Sequence, residues 1–403
     1  MKKVLFVVHT LQVGGAEKVL VNLLKYIDKK KFDVTVLALV NDGVYVNDIK
    51  NIKGVKYKYV FDSFFKKSRS DGNHRHHKIT VKVMSDIWKI YLRLMKRYSG
   101  LLYRLSVREK YDVEIAFLEG KVSKFVSSSK NKKSTKVAWI HTDINNLNNK
   151  KIFKNIEDEK KCYSKFDKII CVSNEVKERF SQRTGITNNI FVQTNPIDSQ
   201  NIEEKMNEPI EENLNNKGLV LCSVGRLVKE KGYDRLLEVH NKLIKEGIIH
   251  TLWIVGEGEK RKELEKYIEE NNLKETVNLI GYSNNPYKYV KKADIFVSSS
   301  RVEGLSSAIL EAAIIGKPIV ATDCPGTEEI LGNDGQAGLI VENNTEALYE
   351  GIKSLLDNIS LMNKYKENIL KRRERFDIQN VVKQIESIID NWGDYGYRDK
   401  LFR

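Results

Sequence analysis

The sequence predicts an α/β protein of two domains, and three observations carry that prediction. Short apolar, β-branched runs alternate with stretches of helical spacing, the pattern of repeated βαβ units around parallel sheets. At 403 residues the chain is longer than one compact core serves, and it suits two domains of about 200 residues each. Between two series of such runs lies Asn195 to Lys217, polar and acidic with two prolines, which reads as the domain junction.

The elements follow in order. Met1-Lys2-Lys3 before Val4-Leu5-Phe6-Val7-Val8 has the look of a secretory leader. The apolar stretch is too short for that and no small-residue cleavage site follows, so Val4–Val8 is expected to be a first parallel strand. Further strands are expected at Val34–Leu39, Val55–Val60, Val113–Phe117, Val137–Ile140, Ile169–Val172 and Ile190–Gln193. The second series comprises Leu219–Val224, Thr251–Val255, Val277–Ile280, Ile295–Ser298, Ile319–Ala321 and Leu339–Val341. Near the C-terminus, Val381, Val382, Ile385, Ile388 and Ile389 have helical spacing within Ile378–Trp392.

Composition narrows the function classes. Hydrophobic residues make up 41% and prolines number five, so two cores are affordable and long extended linkers are not expected. No apolar run approaches the ~20 residues that span a bilayer, and a cytoplasmic protein is expected. Cys162, Cys171, Cys222 and Cys324 form no C-x-x-C pair and read as reduced structural thiols, with no metal site and no disulfide. The net charge of +15 suits an anionic partner, although a Lys-rich, Asn-rich composition inflates it. No nucleic-acid reading module is recognisable, so nucleic acid is not an expected partner.

The densest chemistry is Glu303-Gly304-Leu305-Ser306-Ser307-Ala308-Ile309-Leu310-Glu311. A buried strand, Ile295-Phe296-Val297, gives way here to a helix over about Ser306 to Ile315. Ligands of open α/β sheets bind beyond the carboxyl ends of the strands. Glu303 lies in such a loop, and Glu311 sits about a turn and a half into the helix. The helix start adds free N–H groups and a positive dipole end, which suit a phosphate. Earlier in the same half, Gly225-Arg226-Leu227-Val228-Lys229-Glu230-Lys231-Gly232 follows a strand. Its Arg and Lys can neutralise a diphosphate, Lys229 competing with Lys231 for that role. Gly256-Glu257-Gly258 does not complete a dinucleotide fingerprint, because Arg261 stands at its last glycine position.

The Glu303…Glu311 segment resembles the E-x7-E motif of the retaining GT-B glycosyltransferases of family 4 (glycosyl transferases group 1). The resemblance spans essentially the whole chain and is specific in the second half. It implies two facing Rossmann-like domains across an interdomain cleft. Residues 1–200 would form the acceptor-side domain and 201–375 the nucleotide-sugar donor domain, with 376–403 holding a helix that returns to the first. It implies that Glu303 contacts the donor sugar's hydroxyls, Glu311 the ribose, and the N–H groups of Gly304, Leu305 and Ser306 the sugar and diphosphate. Arg226 and Lys231 would bind the leaving diphosphate, aided by the Gly225 turn. Gly281 and Tyr282 would line the base pocket, although Tyr282 reads equally well as an ordinary strand-end residue. In the first half, Gly14 and Gly15 match the family's glycine-rich loop, and His141, in Trp139-Ile140-His141-Thr142-Asp143, the histidine near the reacting sugar. Leu305-Ser306 departs from the aromatic or proline common in the family, which leaves sugar specificity open.

These likenesses make the expected activity a retaining, metal-independent transfer of a hexose or N-acetylhexosamine. The donor would be a nucleotide sugar, UDP in preference to GDP. The acceptor would be a glycan or lipid-linked intermediate of the bacterial envelope. An NAD(P)-dependent oxidoreductase on a twin Rossmann scaffold is the alternative. Phe64 to Lys110 carries 13 Lys and Arg against 3 Asp and Glu, a local net of +10. Its apolar positions, Tyr98, Leu101, Leu102 and Leu105 among them, have helical spacing. That helix fits either an anionic membrane surface or a core with its basic face in water. Residues 71–77 hold three histidines and read as a polar loop.

Overall fold

The computed structural model describes residues 1–12, 14–62, 96–146, 152–332 and 335–390. The histidine loop, residues 64–95 of the basic stretch and Val13 of the glycine-rich loop lie outside them.

All thirteen expected strands are present: β1 (Lys2–Val8), β2 (Phe32–Asn41), β3 (Val55–Asp62), β4 (Val113–Ala116), β5 (Thr135–Ile140), β6 (Lys168–Cys171), β7 (Ile190–Val192), β8 (Leu219–Val224), β9 (His250–Val255), β10 (Val277–Gly281), β11 (Ile295–Ser298), β12 (Ile319–Thr322) and β13 (Leu339–Val341). The chain divides into two compact units. Among the described residues, one comprises those within 1–171, 177–193 and 379–390, the other those within 172–176 and 194–378.

The first unit holds a seven-stranded sheet in the order β3-β2-β1-β4-β5-β6-β7, every pairing parallel. Its central strands are apolar without alternation because helices cover both faces. Val4, Phe6, Val34, Val36, Ile115, Val137 and Ile170 are wholly or almost wholly buried. The helix Ile378–Asp390 buries Val381, Val382, Ile385 and Ile389, and its Glu386 Oε1 accepts the Asp28 N–H at 2.7 Å. Residues 96–106 are helical. Tyr103 of this helix is buried, whereas Tyr98, Leu101 and Leu105 are exposed. Of the described positions of that stripe, Tyr98, Leu101 and Leu105 thus lie outside the core and Leu102 is half-buried.

The second unit holds a six-stranded sheet in the order β10-β9-β8-β11-β12-β13, again wholly parallel. Its core joins Leu221, Leu252, Ile254, Ile295 and Val297 to Leu236, Leu237 and Leu243 of the helix Tyr233–Lys245, and to Leu348 and Ile352 of Thr345–Leu356. Strand order reverses between β8 and β11 in this sheet, and between β1 and β4 in the first. At such a switch point the loops leaving adjacent strands run to opposite sides and open a crevice. The four cysteines are buried free thiols, as the sequence suggested.

Candidate active site

At the switch point of the second sheet, the loops after β8 and β11 bring Lys231 and Glu303 together. The Lys231 ammonium lies 2.5 Å from Glu303 Oε1, which also accepts the Ser300 hydroxyl at 2.6 Å. Both side chains are largely shielded from solvent, at 21% and 14% exposure. Lys229 is exposed on the neighbouring position, so of the two competing lysines Lys231 is the one joined to the Glu303 carboxylate. Arg226 is exposed, with no side-chain partner among the described residues.

Past Glu303 the chain runs into a helix start. The helix Ser307–Ile315 begins with Ser306 as its cap, whose hydroxyl accepts the Ile309 N–H at 3.5 Å. Gly304, Leu305 and Ser306 are buried, and among the described residues their backbone N–H groups reach no protein acceptor. N–H groups left free at a helix start favour an anion at the positive end of the helix dipole. A cavity of about 10 Å³, lined in part by Ser223, Lys231, Tyr233, Ser300 and Ser306, lies beneath this start; it has room for about one water. Glu311 is buried within the helix at 6% exposure.

The glycines hold neighbouring loops at backbone contact. Gly256 adopts φ +151, and a Cβ there would stand 1.9 Å from the Gly225 carbonyl oxygen. A Cβ on Gly258 would stand 2.4 Å from that of Leu227. The Gly225, Leu227 and Gly256 N–H groups bond to the carbonyls of Val255, Glu257 and Gly281. These glycines thus serve loop packing, and the oxidoreductase alternative finds no support in them. Gly281 ends β10 at φ +87, and Tyr282 after it is 62% exposed.

In the first unit, Gly14 precedes the helix Gly15–Tyr26 in extended conformation and caps it with no side chain. His141 follows β5 and is 7% exposed. Its ring stacks on Trp139 at 5.7 Å and 9° and meets Phe117 at 4.9 Å. Burial drives its pKa down to about 3 against a smaller opposing pull from the Phe117 carbonyl, so the imidazole is neutral near pH 7. Among the described residues neither ring nitrogen reaches a partner at full hydrogen-bond geometry, the Phe117 carbonyl included.

Sequence reading missed Glu119. It follows β4, across the switch point from β1, and its carboxylate ties down the His141 turn. Oε2 accepts the His141 N–H at 3.1 Å and Oε1 the Thr142 hydroxyl at 2.7 Å. Burial raises its pKa, opposed by these two hydrogen bonds. The available signal was positional: β4 pairs with both β1 and β5, so its exit loop borders the Gly14 and His141 loops.

Comparison with known proteins agrees with this geometry. Residues 13–201 match the model of Glycosyltransferase Family 4, and residues 204–372 that of Glycosyl transferases group 1. A Campylobacter jejuni N-acetylgalactosamine-N,N'-diacetylbacillosaminyl-diphospho-undecaprenol 4-alpha-N-acetylgalactosaminyltransferase is 36% identical over 185 residues, 45% of this chain and 48% of that protein. The match thus spans about half of that relative's length. An uncharacterised glycosyltransferase of Haemophilus influenzae is 25% identical over 96% of this chain and 100% of its own. The crystal structure of Anabaena HepE, in complex with UDP and glucose, superposes with a TM-score of 0.72 at 17% identity, covering 97% of this chain and 100% of that one. Two adjoining family models, two parallel-sheet units and this structural likeness place the chain among the GT-B glycosyltransferases.

Proposed function

We propose that the chain moves a hexose or N-acetylhexosamine from a UDP-sugar to a glycan or lipid-linked acceptor in bacterial cell-surface polysaccharide synthesis, with retention of anomeric configuration. The observation that carries this reading is the Lys231–Glu303 pair beside the unbonded N–H groups of Gly304, Leu305 and Ser306. It offers a carboxylate for sugar hydroxyls next to cationic and N–H donors for a diphosphate. The Campylobacter relative's name, with its diphospho-undecaprenol acceptor, supports the lipid-linked class, and the HepE complex supports UDP.

In this reading the leaving diphosphate rests on Lys231, Arg226 and the helix start, so its developing charge is stabilised without a metal. Glu303 orients the sugar and Glu311 accepts from the ribose diol. Gly281 and Tyr282 border the base, and the Gly225 turn lets backbone approach the phosphates. For the first unit the proposal keeps the roles the family resemblance implies: donor-phosphate contact for Gly14 and Gly15, and a place near the reacting sugar for His141. A neutral His141 orients by one hydrogen bond and is not a proton donor of the imidazolium kind. With no carboxylate assigned as nucleophile, the departing phosphate deprotonates the acceptor hydroxyl on the same face, and positioning supplies the rate. The exposed Tyr98, Leu101 and Leu105, with Lys96, Arg97, Arg104 and Arg108 nearby, suit contact with an anionic membrane at the cytoplasmic face. No helix among the described residues is long and apolar enough to cross a membrane.

The test is transfer from UDP-glucose, UDP-galactose and their N-acetyl forms to an undecaprenyl-diphospho-N-acetylhexosamine, with EDTA present. The expected product carries an α-linked sugar, read by NMR. Release of no UDP from any donor, or a β-linkage, contradicts the proposal.

A further inference from the structure

The loop that presents Glu303 is held by a buried guanidinium outside the residues assigned above. β11 ends at Ser298, so the carbonyls of Ser299 and Ser300 lie beyond its strand. Arg235, in the first turn of the helix Tyr233–Lys245 and 4% exposed, supplies them with donors. Its Nε and Nη2 reach Ser299 O at 2.9 and 2.7 Å, and Nη2 also reaches Ser300 O at 2.8 Å. Nη2 further meets Asn343 Oδ1 at 2.8 Å. Asn343, two residues past β13, donates its Nδ2 to the carbonyls of Arg301 and Asp323 at 3.1 and 3.0 Å.

The same loop is tied to the lysine loop. Ser299 Oγ donates to Lys231 O at 2.9 Å, and the Arg301 N–H to Glu230 O at 2.7 Å. Arg301 forks onto Asp234 at 2.7 and 2.8 Å. Gly232 lies at φ +66, where a Cβ would stand 2.1 Å from Ser299 O. Residues 229–232 and 299–303 are therefore one body, with the Arg235 fork beneath its carbonyl side. None of the Arg235 hydrogen bonds above goes to a carboxylate. A buried cation with neutral partners is costly, and here its fork fixes the two peptide units that lead to Glu303.

We propose that Arg235 and Asn343 are positioning residues for sugar recognition: they fix the Ser299–Glu303 backbone so that Glu303 meets the donor's hydroxyls while Lys231 stays on its phosphate. The inference rests on the transferase reading. It predicts a split: the ribose and base contacts, assigned to Glu311, Gly281 and Tyr282 on other elements, hold most of the UDP affinity, while grip on the sugar weakens.

The experiment is calorimetric titration of the full chain with UDP and with whichever of UDP-glucose, UDP-galactose or their N-acetyl forms the unsubstituted protein binds most tightly. It is run on the unsubstituted protein, Arg235→Lys and Asn343→Ala. Lys keeps the charge and loses the fork. The UDP-sugar Kd should rise about tenfold in Arg235→Lys and about threefold in Asn343→Ala, with the UDP Kd within about twofold. A merely structural role would lower both affinities together, and that result, or an unchanged ratio, overturns the inference. Asn343 is exposed and its variant is expected to fold, so its ratio decides if Arg235→Lys does not. An unsubstituted protein that binds no UDP-sugar overturns the transferase reading and this inference with it. Binding with an unchanged ratio overturns the inference alone.

Discussion

The two sheets have the same parallel design and a switch point each, yet they present different chemistry there. The second sheet's exit loops are charged and heavily cross-bonded, with Lys231 on Glu303 at 2.5 Å and Arg301 forked onto Asp234. The first sheet's exit loops carry a neutral His141 between aromatic rings and a Glu119 whose carboxyl burial pushes upward. The difference teaches where each kind of function is encoded. On the proposed reading, charge recognition of a diphosphate is written as Arg, Lys and Glu at strand ends. On the same reading, orientation of a reacting centre is written in burial and backbone hydrogen bonds.

The sharpest way to break this contrast is to remove charge on the second sheet. Lys231→Ala should lower turnover by about 10³-fold, since it removes a cation from the leaving diphosphate. Steady-state kinetics with the best UDP-sugar reads this, and a drop under tenfold would return the role to Lys229. On the first sheet, Glu119→Gln keeps the size but points an amide N–H₂ at one of two donors. We expect kcat to fall about thirtyfold, with the donor KM little changed. An unchanged kcat would make Glu119 a bystander.

How much of this was legible in the sequence follows the same divide. The strands showed as apolar runs because parallel strands are buried on both faces, and Glu303 and Lys231 showed as charged residues in the loops where such runs end. Glu119 did not show, because its meaning depends on β4 lying between β1 and β5, a pairing no local pattern states. The helix at residues 96–106 stayed open for a related reason: spacing gives a face and not its partner, and Tyr103, off that stripe, is the buried one. Arg235 carries no local signal either, because its role lies in carbonyls of a loop more than sixty residues away.

Two smaller effects sharpen the comparison. His240 and His250 are buried and bonded to each other at 2.8 Å, and the His250 Nδ1 meets the Ile248 carbonyl at 2.9 Å. Burial lowers both pKa values, that of His240 to about 3. The unfolded chain takes up protons below about pH 6.5 and the folded chain does not. Stability is therefore full above pH 6.5 and is lost as pH falls toward 3. Urea unfolding at pH 7.5 and 5.0 should differ by about 2 kcal/mol from such a site, and less in His240→Gln. An equal loss in the variant would assign the acid sensitivity elsewhere, the buried His141 included. Weakest of all, changing Lys96, Arg97 and Arg104 to Ser should reduce sedimentation with phosphatidylglycerol vesicles about fivefold. No change there would leave the exposed Tyr98, Leu101 and Leu105 without a membrane role.

The central claim is that the second unit holds a nucleotide diphosphate sugar on its own switch-point residues, and Glu311 tests it most directly. Charge-assisted hydrogen bonds are worth about 1.5–3 kcal/mol each. Calorimetric titration with UDP should therefore show binding by the unsubstituted chain and at least about a hundredfold loss in Glu311→Ala, with the melting temperature of the free protein preserved. Equal UDP affinity in the two proteins would contradict the account and move the nucleotide to another site.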